Sequence, residues 1–260
     1  MEVIIQPDPH AVAIEAAKLI ANLVHSKPNA VLGLATGGTP VLLYKELVRM
    51  HREEKLDFSR VTTFNLDEYV GLGPDHPQSY AHYMQHNLFR HINVRKSAVH
   101  IPNGLAQNIP RECQNYETAV QAAGGIDLQV LGVGVDGHIG FNEPASSLAS
   151  RTRIKTLTER TLQQNARYFP DTREMPHHVL TMGVATIMEA RHCLLLATGA
   201  PKSAIVAQFI EGPLTAMVPA SILQMHPRAT VILDEAAAAN LRRQSYYRWV
   251  YENKPPWQKV

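Results

Sequence analysis

The stretch LGVGVDGHIGFNEP gathers Asp136, His138 and Glu143 into one short segment, among glycines at positions 132, 134, 137 and 140. A histidine beside carboxylates gains proton affinity and a fixed orientation, which suits a group that both takes and gives a proton near neutral pH. The glycines permit backbone angles that aim polar side chains at a ligand. A structural histidine and a metal site are the alternatives. An acid five residues after an Asp-x-His is not a spacing of established metal type, so no metal is expected. A second acidic group, Asn65-Leu66-Asp67-Glu68-Tyr69, interrupts an apolar run. A carboxylate partly removed from water binds its proton more tightly and becomes a better base toward a C–H bond. The same acids also suit the cap of a following turn, and the pattern does not separate Asp67 from Glu68.

Two further segments suit an anion. Thr36-Gly37-Gly38-Thr39-Pro40 follows an apolar run and opens a run of helical period, with Thr39 suited to the N-cap and Pro40 to the first helical position. Glycines there let backbone amides approach phosphate oxygens without a Cβ in the way, and the helix N-terminus adds partial positive charge. A partial echo, ATGAPK after ATGGTP, sets Lys202 near a second helix start, where its charge suits a phosphate. An ordinary strand-to-helix turn and a solvated lysine are the plainer readings. His82, His86 and His91 lie near one helical face without an HExxH pattern, and His177-His178 reads as an exposed loop pair.

Secondary structure must bring these groups to one place. Residues 2–6, 30–35, 61–65, 128–133, 193–197 and 229–233 are short β-rich apolar runs of the kind found in buried parallel strands. Residues 9–25, 39–54, 79–91, 111–123, 183–190, 201–210 and 235–252 repeat apolar residues at helical spacing. The alternation predicts an α/β fold, a doubly wound, mainly parallel sheet with helices on both faces, whose ligands lie outside the carboxyl ends of the strands. Each of the four segments begins where one of those strands ends. The least regular stretch, near 144–176, is rich in Ser, Thr and Arg and reads as a lid or regulatory segment.

A chain of 260 residues with 45% hydrophobic content can bury a full core, so one domain over 1–260 is expected. Lys plus Arg barely exceed Asp plus Glu (25 against 23), which leaves no electrostatic footprint for a nucleic-acid backbone, and no run is apolar for long enough to span a bilayer. Cys113 and Cys193 are too few for a disulfide framework or a zinc site. With no signal-like segment in MEVIIQPDPH, the cytoplasm is the expected compartment.

TGGTP at Thr36, FNLDEYVGL at Phe64 with HPQSY at His76, GVDGHIGFNEPASSLASRTRIKTL at Gly134, NARYF at Asn165 and ATGAPK at Ala197 stand in a familiar order and spacing. In these motifs the chain resembles the glucosamine-6-phosphate deaminase family over nearly its whole length, up to the last helix. The resemblance implies conversion of glucosamine 6-phosphate and water to fructose 6-phosphate and ammonia, an aldose-to-ketose isomerisation with loss of the amine, in amino-sugar catabolism and without a cofactor. It also implies that His138 opens the sugar ring while Asp136 and Glu143 set its charge and orientation. Asp67 would take the proton from C2 and return one to C1. Thr36, Gly37, Gly38, Thr39, Arg167 and Lys202 would hold the 6-phosphate, Arg167 being nominated by the NARYF match alone.

Many members of that family are hexamers activated by N-acetylglucosamine 6-phosphate between subunits. That implies a homo-oligomer here, with an activator site at Ser146, Arg153, Lys155 and Thr156. On a β-strand Arg153 and Lys155 point to the same side and can clamp a phosphate; a solvated, charged strand edge is the plain reading. In the C-terminal helix Arg248 stands where the activated forms carry a tyrosine. Two other functions remain open at this point: a hydrolase of the 6-phosphogluconolactonase kind, which shares single motifs, and a sugar-phosphate sensor that binds without chemistry.

Overall fold

In the computed structural model, which describes residues 1–166, 169, 175–255 and 258 (backbone only at 160, 164 and 165), the apolar runs pair as strands. The strands are β1 (Glu2–Gln6), β2 (Val31–Leu34), β3 (Thr62–Asn65), β4 (Asp67–Tyr69), β5 (Val99–His100), β6 (Leu128–Leu131), β7 (Arg153–Thr156), β8 (His178–Thr181), β9 (Cys193–Ala197) and β10 (Ala229–Asp234). Seven of them form a parallel sheet in the order β1-β10-β9-β6-β2-β3-β5. Every residue of β6, β9 and β10 is buried, because helices cover both faces. From β2 the order runs out through β3 and β5, and from β6 it runs the other way through β9 and β10. The carboxyl ends of β2 and β6 therefore flank a topological switch point, where folds of this kind leave a crevice.

The remaining strands form a separate antiparallel sheet, β4-β8-β7, which the alternating sequence pattern did not reveal. The irregular stretch thus holds β7 and a short helix. His177-His178, read as a loop pair, straddles the start of β8, although both side chains stay exposed.

The helices are α1 (Pro9–Ser26), α2 (Pro40–Glu53), α3 (Tyr80–Asn87), α4 (Ile109–Ala122), α5 (Glu159–Ala166), α6 (Val184–Met188), α7 (Ser203–Glu211), α8 (Glu235–Ala238) and α9 (Gln244–Glu252). Local chemistry sets their ends. The Asp8 carboxylate accepts the N–H groups of His10 and Ala11 at 2.8 and 2.9 Å, and Pro9 occupies the first turn of α1. Such a cap contributes about 1 kcal/mol. α1 then buries Val12, Ala16, Ile20 and Val24, and α2 buries Leu43, Tyr44, Leu47 and Met50, each a row at helical spacing.

The helix expected over 235–252 is broken into α8 and α9. The Glu211 carboxylate accepts the backbone N–H groups of Arg242 and Arg243, both at 3.0 Å, which draws the chain out of helical register. The core between the layers includes the fully buried Tyr44, Phe64 and Phe209. Burying a side chain of Phe209's size contributes about 1.5–3 kcal/mol. Among the described residues no helix is long and apolar enough to cross a membrane.

Candidate active site

Leu66 joins the two sheets. Its N–H donates to Leu34 O on the parallel side, and its carbonyl accepts from Met182 N on the antiparallel side. The chain therefore changes sheet at Asp67, which pairs with Thr181. Alternation along β4 sends Asp67 and Tyr69 to the cleft and Glu68 to the opposite side.

The two acids then part in role. The Glu68 carboxylate accepts the N–H groups of Tyr69, Tyr80 and Ala81 at 2.8, 2.9 and 2.9 Å, closing the first turn of α3 beside the Ser79 cap. Asp67 faces the cleft and is only 4% exposed. Its burial, and then the charge of Glu68, raise its proton affinity well above the ordinary carboxylate range.

After β6 the chain makes a tight return. Gly134 N donates to His138 O at 2.9 Å, and Gly137 N to Gly134 O at 3.0 Å. Gly137 and Gly140 lie at φ 89° and 56°, in the left-handed region that favours glycine. A Cβ on Gly140 would lie 3.6 Å from Asp67 Oδ2, so this loop passes directly beside the buried carboxylate.

His138 Nδ1 lies 2.7 Å from Asp136 Oδ1, a close contact outside straight hydrogen-bond geometry. Asp136 Oδ1 also accepts the His138 N–H at 3.3 Å. Burial pushes the Asp136 carboxyl up, and the contacts with His138 more than offset this, holding it at about 2. Glu143, 3% exposed, has a different set of partners. Its Oε1 accepts from Thr158 N, Thr158 Oγ1 and Thr161 Oγ1 at 3.2, 2.9 and 2.5 Å, which ties it to the start of α5.

Thr36, Gly37, Gly38 and Thr39 form the turn from β2 into α2. Thr39 holds the N-cap position, but its side chain makes no capping bond, and Pro40 follows in the first turn. Gly37 sits at φ 106°, and a Cβ on either glycine would meet nothing within 4 Å, so the turn is open toward the cleft. The Tyr83 hydroxyl donates to Gly37 O at 2.6 Å and fixes the turn from α3. Lys202 Nζ donates to Val133 O at 2.7 Å, which sets its charge between the turn and the His138 loop. Burial lowers the proton affinity of Lys202, and the charge of Asp136 opposes that.

Thr36, Gly37, Gly38, Thr39, Asp67, His138 and Lys202 line one cleft of about 1080 Å³, and Asp136 and Glu143 lie outside its lining. Its wall is aromatic: Tyr80 lies 4.9 Å from Tyr69 and 6.1 Å from Phe141, to which it is nearly parallel. Tyr80 lines the cleft together with Tyr69 and Thr36. Sequence reasoning did not single out Tyr80, although it closes the HPQSY motif, nor Thr161 of α5, whose signal was a Thr158-Glu159 helix start. The cleft thus offers a sheltered base, an acid–base pair and an anion turn, enough for proton transfers on a small phosphorylated molecule.

The other expected residues fall elsewhere. Ser146, Arg153, Lys155 and Thr156 lie outside the cleft lining. On β7 the half-buried Arg153 and Lys155 share a face, and Thr156 is exposed on the other. Arg153 Nη1 donates to Arg151 O at 3.2 Å, and burial lowers its proton affinity. Arg167 lies outside the described residues. His82 and His86 line the cleft, whereas His91 contacts Arg52 at 3.2 Å. Among the described residues no three His, Cys, Asp or Glu groups are placed to share a metal ion.

Residues 7–232 match the family described as glucosamine-6-phosphate isomerases/6-phosphogluconolactonase. A relative from Arthrobacter sp. (strain FB24), named glucosamine-6-phosphate deaminase, is 55% identical over 258 residues, 99% of each chain. One of the same name from Hahella chejuensis (strain KCTC 2396) is 53% identical over 250 residues, 96% of this chain and 95% of its own. Among solved structures, a monomeric glucosamine-6-phosphate deaminase is similar at a TM-score of 0.90 and 45% identity, over 92% of this chain and 100% of that one. A 6-phosphogluconolactonase from Trypanosoma cruzi shares the fold at a TM-score of 0.73 and 21% identity, over 93% of this chain and 97% of that one.

Proposed function

The chain belongs to the glucosamine-6-phosphate isomerase/6-phosphogluconolactonase family, and on that premise we propose that it converts glucosamine 6-phosphate and water to fructose 6-phosphate and ammonia. The observation that carries this reading is the buried, proton-hungry Asp67 in the same cleft as the open anion turn and His138, which Asp136 contacts from behind the lining. Lactone hydrolysis breaks no C–H bond and needs no base to take a proton from carbon.

In the proposed reaction the 6-phosphate rests on Thr36, Gly37, Gly38, Thr39 and Lys202, with Arg167 as a further contact. His138 passes a proton between the anomeric hydroxyl and the ring oxygen, which opens the ring. Asp136 stays ionised at neutral pH and stabilises the histidine when it carries the proton. Glu143, fixed by Thr158 and Thr161, sets the charge around that step. Asp67 then removes the C2 proton, the C–H electron pair forms the C1=C2 bond, and the C1 oxygen takes a proton from the C2 ammonium, which gives an enol that bears an amine on C2. Return of the proton to C1 leaves an imine at C2, and water hydrolyses it to the ketose and ammonia. Burial favours the middle step, because a carboxylate stripped of water is a stronger base.

Residues 1–260 act as one domain in this reading, since β1 at the start of the chain pairs with β10 near its end. The reaction belongs to amino-sugar catabolism in the cytoplasm. N-acetylglucosamine 6-phosphate is the proposed activator, held at Ser146, Arg153, Lys155 and Thr156. The support is a pair of half-buried cations on one face of the edge strand β7, and the buried Ser146 Oγ without a hydrogen-bond partner among the described residues. A site of this kind between subunits needs a homo-oligomer such as a hexamer. Light scattering with and without the activator measures that, and a rate curve that N-acetylglucosamine 6-phosphate leaves unchanged would remove the regulatory role.

The reaction itself is tested by assaying the purified protein side by side on glucosamine 6-phosphate and 6-phosphogluconolactone. Ammonia from the first with no hydrolysis of the second is expected. Hydrolysis of the lactone without ammonia release would overturn the proposal in favour of a hydrolase.

A further inference from the structure

Glu68 does not line the cleft, yet it is 2% exposed and bound to three backbone N–H groups. A helix start needs less. Ser79 already supplies the N-cap of α3, its hydroxyl accepting the His82 N–H at 3.0 Å. Burial raises the proton affinity of Glu68, and the three amide donors, which favour its charged form, oppose that. The result is a buried, amide-bound carboxylate at the position next to Asp67 on a strand of three residues.

The same contacts reach the anion turn. Two of the N–H groups on Glu68 belong to Tyr80 and Ala81, the first residues of α3. From that helix the Tyr83 hydroxyl donates to Gly37 O at 2.6 Å. One side chain therefore links the strand that carries the base to the helix that braces the anion turn.

We infer that Glu68 is a positioning residue that holds a carboxylate charge beside Asp67 and that sets base and anion turn in register through α3. The inference rests on the proposed deaminase reading. The titratable groups that face Asp67 are Tyr44 from α2, Tyr80 from α3 and Tyr116 from α4, with His138 and Lys202 lining the same cleft. Burial first keeps each of those phenols well above its ordinary range, so all three are neutral. Beside burial, it is the charge of Glu68 that acts on Asp67. A like charge disfavours ionisation of its neighbour, which strengthens Asp67 as a base toward carbon.

The test is the pH dependence of kcat/KM on glucosamine 6-phosphate for wild type, Glu68→Gln and Glu68→Asp. In wild type the acid limb reports deprotonation of Asp67. In Glu68→Gln that limb is expected to move down by about one pH unit, the order of effect of removing one nearby like charge. Glu68→Asp keeps the charge and is expected to keep the limb, with a raised KM because the shorter side chain lets α3 shift. If Glu68 only anchors the helix, kcat/KM falls equally at every pH and the limb stays in place in both variants. That outcome overturns the inference. Wild-type protein that releases no ammonia overturns the deaminase reading instead, so the two failures are distinct. Carbon-13 carboxyl NMR of wild type gives a second answer that needs no substitution and no turnover. Asp67 and Glu68 are expected to titrate as a coupled pair with biphasic curves. Two independent single-step curves contradict the inference.

Discussion

Gly134→Ala converts one close approach into a measurable loss. A Cβ built at that position lies 2.2 Å from His138 Cε1, 2.3 Å from Nδ1 and 2.6 Å from Asp136 Oδ1, where ordinary contact begins at 3.4 Å. The ring has to retreat by roughly 1 Å, and a displacement of that size in a reacting group costs about 10²-fold in rate. The 2.7 Å contact between His138 and Asp136 is lost with it. General acid–base catalysis by such a pair contributes about 10²–10⁴-fold, so kcat/KM is expected to fall by about 10²–10³-fold, or about 3–4 kcal/mol in the barrier. Gly134 is not among the residues at positive φ, so alanine fits its backbone and the fold should persist. The anion turn is untouched, and KM should stay near its wild-type value. Steady-state ammonia release, with circular dichroism to confirm the fold, reads all of this. A folded Gly134→Ala protein that turns over as fast as wild type would refute the role given to the His138–Asp136 pair.

Three other outcomes follow from the same geometry. Asp67→Asn should lower kcat by about 10²–10⁴-fold while raising the thermal midpoint at neutral pH. The sign follows from linkage: Asp67 binds its proton more tightly folded than unfolded, so the wild type loses stability as pH rises from about 4 through the elevated folded value. The gain of the variant should therefore vanish near pH 3, and a variant less stable than wild type at neutral pH would contradict the buried charge. Thr161→Val removes the 2.5 Å donor to the buried Glu143 carboxylate and should cost about 1–3 kcal/mol in urea unfolding, with Thr161→Ser close to wild type. Gly37→Ala meets open space but a φ of 106°, so its cost is backbone strain of about 1–2 kcal/mol. Weaker inhibition by inorganic phosphate and a raised KM with little change in kcat should report it.

The parallel sheet was legible in the sequence because a strand covered on both faces must be apolar throughout, as CLLLA and ATVIL are. The strand ends were legible too, since Asp67, His138 and the Gly37–Gly38 turn each interrupt such a run. The antiparallel sheet was not. β7 is RIKT at an open edge, with no apolar face to report, and β8 is four residues long beside two exposed histidines. The division between Asp67 and Glu68 was equally hidden, because it depends on α3 returning, eleven residues after Tyr69, to lay its first amides on one acid and not the other. The break between α8 and α9 depends in the same way on a distant group, the Glu211 carboxylate. Local pattern carries the elements and their ends; the contacts that assign a side chain its work are made between elements far apart in the chain.

The most direct test of the central claim is the stoichiometry of ammonia and fructose 6-phosphate formed from glucosamine 6-phosphate by the purified protein. Equal amounts of both products, lost together in Asp67→Asn, are the expected result. Absence of both products from the wild-type protein, or undiminished formation by Asp67→Asn, would contradict a cleft in which a buried carboxylate moves the proton between C2 and C1.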